Sequence, residues 1–102
     1  MEFTNIENID IIVKLLKVNG IRDLVISPGG TNMAIINAVQ NDCYFNCYSI
    51  VDERSAAYAA IGIYLQRKMP VALICTSAQA TRNYIPGLTE AFYKRVPLLA
   101  IT

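Results

Sequence analysis

Val71-Ala72-Leu73-Ile74-Cys75 is an unbroken apolar run. A strand with one wet face alternates apolar and polar residues. A continuous run of this length belongs to a strand covered on both faces. That demands a sheet with helices on each side, and the rest of the chain supplies them. From Thr4 to Asn19, the residues Ile6, Ile9, Ile12, Val13 and Leu16 recur at helical spacing. Thr4 and Glu7 form a capping box there, and Gly20 suits the stop. Leu24-Val25-Ile26 reads as a short strand. Thr31 or Asn32 caps a helix over Met33 to Gln40 with Ala34, Ile35, Ala38 and Val39 inward. Tyr44 to Val51 has the aromatic and β-branched content of a second strand. Asp52 is the N-cap of a helix from Glu53 to about Arg67. After the Val71 run a helix extends to about Lys94, where Pro86 and Gly87 predict a kink or a late start. Leu98 to Ile101 is the fourth strand. Strands alternating with helices in this order predict a three-layer α/β/α fold with right-handed crossovers and a parallel sheet of about four strands.

The chain is 102 residues, which allows one modest domain. It is 54% hydrophobic and only 17% charged, against about 25% charged in an ordinary soluble domain. Strands buried on both faces account for part of this; a surface kept for another subunit or domain accounts for the rest. Net charge is +1 with no basic run, so nothing points to nucleic acid or to an anionic membrane. No apolar stretch reaches the roughly 18 residues that cross a bilayer, and Met1-Glu2-Phe3-Thr4-Asn5 lacks the positive start of a signal peptide. A cytoplasmic protein is expected. Three cysteines and no histidine are present. On an extended segment Cys43 and Cys47 would lie about 13 Å apart, too far to bridge, so buried free thiols are expected. Without histidine this chain runs no Ser-His or Cys-His mechanism and builds no histidine-ligated metal site.

In a parallel sheet every strand ends on one rim, and ligands bind outside those carboxyl ends. The glycine-bearing and polar junctions fall there: Ser27-Pro28-Gly29-Gly30, Asp52-Glu53 and Thr76-Ser77. Each has an ordinary reading as well. Ser27-Pro28-Gly29-Gly30 is neither a P-loop nor a complete Gly-x-Gly-x-x-Gly and can be a plain βα turn. Asp52 and Glu53 can be a cap and a first-turn acid facing the helix dipole. Thr76 and Ser77 can cap the next helix. Arg54 can be a surface cation and Asn83 an exposed helix position. Glu53 stands out by its neighbours, since Ser55, Ala56, Ala57, Ala59, Ala60 and Gly62 make a segment suited to close packing. A charge there is costly unless something binds it.

The ordered set Ile26-Ser27-Pro28-Gly29, Val51-Asp52-Glu53-Arg54-Ser55-Ala56-Ala57, Cys75-Thr76-Ser77, Asn83-Tyr84-x-Pro86, Glu90-Ala91 and Arg95-Val96-Pro97-Leu98-Leu99 resembles the N-terminal pyrimidine-binding domain of thiamine-diphosphate enzymes. Within them it is most similar to the synthases of the menaquinone pathway. The resemblance covers about Ile21 to Thr102. It implies that Glu53 is catalytic, hydrogen-bonding N1′ of the cofactor's aminopyrimidine and relaying the proton taken from the thiazolium C2. It implies that Pro28, Gly29, Thr76, Ser77 and Asn83 join Glu53 in binding thiamine diphosphate, and that Ser27, Gly30, Thr31 and Arg54 face the substrate. No residue here is expected to bind metal. Mg2+ and the diphosphate belong, by resemblance, to a separate domain with a Gly-Asp-Gly…Asn motif, supplied by a second subunit of a homodimer or homotetramer. Residues 1–102 would then be a partial N-terminal domain, inactive alone.

The same resemblance implies a 2-oxo acid substrate, 2-oxoglutarate as donor and isochorismate as acceptor. Two departures bear on it. Where those synthases read Ser-Pro-Gly-Ser-Arg-Ser, this chain reads Ser27-Pro28-Gly29-Gly30-Thr31-Asn32, without the arginine that suits bidentate recognition of an acidic substrate. Where they read Thr-Ser-Gly-Thr, it reads Thr76-Ser77-Ala78-Gln79. An acetolactate-synthase-like or 2-oxo-acid decarboxylase subunit is the alternative within enzymes. A non-catalytic α/β interaction module is the alternative outside them.

Overall fold

The structure, a computed structural model, describes residues 3–29, 33–76 and 78–102. Its elements follow the expected order: α1 (Phe3–Val18), β1 (Asp23–Ile26), α2 (Met33–Gln40), β2 (Asn46–Ser49), α3 (Glu53–Arg67), β3 (Val71–Ile74), α4 (Ala78–Asn83), α5 (Ile85–Lys94) and β4 (Leu98–Ile101). All strand pairings are parallel, and the strands lie in the order β2-β1-β3-β4. The central strands β1 and β3 are buried at every position, as the unbroken apolar run requires.

Side chains alternate across the sheet and build a core on each face. Leu24, Ile26, Ala72 and Ile74 pack with Leu16, Ile35, Ile36 and Val39 beneath α1 and α2. Val25, Val71, Leu73 and Cys75 pack with Ala56, Ala57, Ala60 and Tyr84 beneath α3 and the α4–α5 junction. Burying each of the larger aliphatic chains contributes roughly 1.5–3 kcal/mol. The α3 alanines bring that helix close to the sheet, and α5 comes close in turn: a Cβ at Gly87 would collide with Ala57.

Several local readings are corrected. The second strand is Asn46–Ser49, shorter than the Tyr44–Val51 expected. Asp42 accepts the Tyr44 N–H at 3.0 Å, and that local turn removes Tyr44 and Phe45 from the ladder. The inward side of α2 is Ile35, Ile36 and Val39; Ala34 is exposed, one position off the stripe that these larger residues define. The late start expected at Pro86 and Gly87 is seen as a second helix that meets the first at Tyr84, with Pro86 in its first turn, where its missing N–H costs nothing. All three thiols are free, but only Cys75 is buried; Cys47 is half-buried and Cys43 is exposed. The Thr4–Glu7 capping box and the Thr31 or Asn32 cap lie outside the described side chains.

On the amino rim, the fully buried Asp23 takes hydrogen bonds from Arg67 Nε at 2.8 Å and Asn46 Nδ2 at 3.1 Å. This ties the start of β1 to the end of α3 and the start of β2. A buried carboxylate is tolerable here because it is paired and hydrogen-bonded. Among the described residues, no helix is long and apolar enough to cross a membrane.

Candidate functional site

The strand order fixes where a ligand enters. The chain leaves β1 toward α2 on one face of the sheet and leaves β3 toward α4 on the other. The loops therefore part between β1 and β3, which opens a crevice on the carboxyl rim. Ser27, Gly29 and Thr76 stand at this point. Ser27 N–H donates to Ile74 O at 2.9 Å, tying the ends of the two strands. Gly29 is half-buried against the Thr76 side chain, and a Cβ at Gly29 would collide with Thr76 Cγ2. Glycine is needed there for the loops to approach this closely.

The third junction on this rim is held to the first. The Ser27 side chain is 1% exposed, and its hydroxyl donates to Ile50 O at 2.7 Å. Ile50 N–H in turn donates to Ile26 O at 2.9 Å. These bonds anchor the segment that leads into α3. Asp52 then caps the helix: its carboxylate accepts the Ser55 N–H at 3.0 Å and the Ser55 hydroxyl at 2.8 Å. Those two bonds, the hydroxyl first, hold the Asp52 carboxyl below the usual aspartate range. Glu53 opens the first turn of α3 and is half-buried. Among the described residues no hydrogen bond or ion pair engages its carboxylate. It lies three and four residues before Ala56 and Ala57, on the helix side that packs inward.

The remaining expected site residues are placed less centrally. Pro28 and Arg54 are exposed; Thr76 and Asn83 are half-buried, Asn83 as the last residue of α4. Gly30, Thr31 and Ser77 lie outside the described residues. A cavity of about 360 Å3 opens on the same rim, bounded by Ile35, Cys75, Thr76, Ile101 and Thr102 among others; it shares Thr76 with the crevice but is not lined by Glu53.

Sequence reasoning passed over the Tyr84 hydroxyl. Tyr84 is fully buried between α4 and α5, and its hydroxyl has no hydrogen-bond partner among the described residues. Burial pushes the phenol's pKa well up, and the neighbouring Cys75 pushes it the same way. The only prior signal was a hydroxyl-bearing aromatic in a stretch due to be core.

These features fit the group that the motifs implied. An aminopyrimidine presents ring nitrogens and an amine. The rim offers it a carboxylate that no described residue engages, a close glycine–threonine contact with no side chain at Gly29 to fill the space, and nearby a buried hydroxyl without a partner among the described residues.

Comparison with known proteins agrees. The family described as thiamine pyrophosphate enzyme, N-terminal TPP binding domain, matches residues 7–102. The 2-succinyl-5-enolpyruvyl-6-hydroxy-3-cyclohexene-1-carboxylate synthase of Phocaeicola vulgatus is 45% identical over 100 residues, which are 98% of this chain and 18% of that protein. The synthase of the same name from Flavobacterium psychrophilum is 46% identical over 91 residues, 89% of this chain and 16% of that protein. In structure, benzoylformate decarboxylase from Polynucleobacter necessarius superposes with a TM-score of 0.78 at 23% identity, over 90% of this chain and 17% of that one. This last likeness concerns the fold. The chain thus spans less than a fifth of the length of each of these proteins.

Proposed function

Because the chain belongs to the thiamine pyrophosphate enzyme family, as its N-terminal TPP-binding domain, we propose that it is the pyrimidine-holding half of a site in a 2-oxo-acid carboligase or decarboxylase. The observation that carries this reading is Glu53: half-buried, without a partner among the described residues, and held at the rim by the Asp52 cap and the Ser27–Ile50 bond. Its carboxylate shares a proton with N1′ of the aminopyrimidine. Pro28, Gly29, Thr76, Ser77 and Asn83 border the ring and exclude water from it. Thiamine diphosphate, when bound, supplies the carbon-centred nucleophile that this side-chain set lacks. Arg54, exposed one residue after Glu53, is available to an acidic substrate, and Gly30 and Thr31 would line the substrate's approach. Ser27 contributes by holding the loop that leads to Glu53.

The diphosphate and Mg2+ are held by a second domain, contributed by a partner subunit in a homodimer or homotetramer. The donor is 2-oxoglutarate and the acceptor isochorismate. The identity to the two menaquinone-pathway synthases and the Asp52-Glu53-Arg54-Ser55-Ala56-Ala57 segment support this choice. The test is turnover by the complete protein with thiamine diphosphate and Mg2+. Isochorismate-dependent release of CO2 from 2-oxoglutarate is expected. Release from pyruvate alone, with 2-oxoglutarate inert, would assign it to the acetolactate-like alternative.

A further inference from the structure

The proposed function gives Tyr84 no task, yet its position asks for one. The residue is fully buried at the junction of α4 and α5, and its hydroxyl finds no partner among the described residues. A buried hydroxyl left unpaired works against folding. Phenylalanine would fill the same space without that penalty. The ring packs in the core cluster of Val25, Ala56, Ala57 and Cys75, with the Ser27 hydroxyl and Cys75 thiol beside its own hydroxyl. Ser27 and Cys75 directly follow the two central strands, so the phenol lies just beneath the crevice floor.

Glu53 approaches the same wall from the helix. It stands one turn before Ala56 and Ala57 on α3, and those alanines touch the tyrosine's cluster. Among the described residues no donor meets the Glu53 carboxylate, and the phenol, although the Ser27 hydroxyl and Cys75 thiol lie beside it, makes no bond of good hydrogen-bond geometry. We propose that Tyr84 is a positioning residue for Glu53: its hydroxyl donates to the carboxylate through one buried water, and so fixes how the acid is aimed into the crevice. The electrostatics agree. Burial first, then the neighbouring Cys75 and the charge of Glu53, push the phenol's pKa up, so it remains a protonated donor. The glycine–alanine contact seats α5, which begins just after Tyr84, directly on α3, the helix that Glu53 opens. The inference rests on the reading of Glu53 given above.

The test uses the complete protein with 13C at the tyrosine ζ carbon, whose chemical shift reports hydrogen bonding of the phenol. The Tyr84 signal is assigned by its loss in Tyr84→Phe. Without any cofactor, Glu53→Ala should move that signal. With thiamine diphosphate and Mg2+ bound, Tyr84→Phe should slow C2 proton exchange about tenfold, the worth of one hydrogen bond to a charged group. Cofactor affinity should change less than about threefold, since the hydroxyl aims the acid and does not touch the ligand. The proposal is overturned if Glu53→Ala leaves the Tyr84 signal in place, or if Tyr84→Phe exchanges at the wild-type rate. Undiminished exchange in Glu53→Gln is a separate failure. It would remove the role of Glu53 while leaving the hydrogen-bond signal to be read independently.

Discussion

Asp52 and Glu53 are adjacent carboxylates in opposite situations. Asp52 is exposed, and its oxygens are taken up by Ser55. Glu53 is half-buried, and no hydrogen bond or ion pair engages it among the described residues. The folded structure lowers the Asp52 pKa from 3.8, so the cap's charge-dependent stability is complete above the unfolded value. It fades as pH falls below 3.8 through the lower folded value. Asp52→Asn keeps a capping side chain but removes the charge. The difference in urea midpoint between the wild type and Asp52→Asn should therefore be present at about pH 6 and close by about pH 2. A difference that stays constant over that range would mean the cap acts by shape and not by charge. Of the candidate site's residues, Glu53 was legible in position, as an acid in the first turn of an alanine-rich helix, while the role expected of it came from the resemblance. Tyr84 was not, since periodicity marks a tyrosine as core without saying where its hydroxyl ends.

The helices and strands follow from period and punctuation where these agree. Met33–Gln40, Glu53–Arg67 and Leu98–Ile101 fall where the pattern placed them. They part company where side chains bond to nearby backbone. Asp42 captures the Tyr44 N–H and shortens β2 despite the strand propensity of its sequence. At α4–α5, Pro86 and Gly87 announced a break, but its place at Tyr84 comes from packing. Gly87 seats α5 directly on Ala57 of α3, leaving no room for a methyl group. Gly87→Ala should cost about 1–3 kcal/mol in urea denaturation, because overpacking outweighs the helix propensity that alanine adds. It should also slow C2 proton exchange by shifting Tyr84 against Glu53. A neutral or stabilising effect would mean that α5 moves freely over α3.

At the scale of the molecule, the parallel sheet was legible because four apolar runs are separated by helical stretches, a pattern with few solutions. The strand order β2-β1-β3-β4 was not, since periodicity says nothing about which buried strands are neighbours. Yet that order makes the crevice, because only it parts the β1 and β3 loops around Gly29 and Thr76. The Asp23–Arg67 pair was equally hidden, its partners being 44 residues apart in sequence and joined only when α3 crosses the sheet. The fold thus explains how three separated loops converge, and the proton-sharing role proposed for Glu53 would explain why a carboxylate stands among them. The most direct test of that assignment is C2 proton exchange of thiamine diphosphate bound to the complete protein, comparing wild type with Glu53→Gln at saturating cofactor. Glutamine keeps the size and loses the exchangeable acid, so exchange should fall by at least about a hundredfold, in the range of a lost general acid–base group. Exchange at the wild-type rate with the cofactor fully bound would contradict the account.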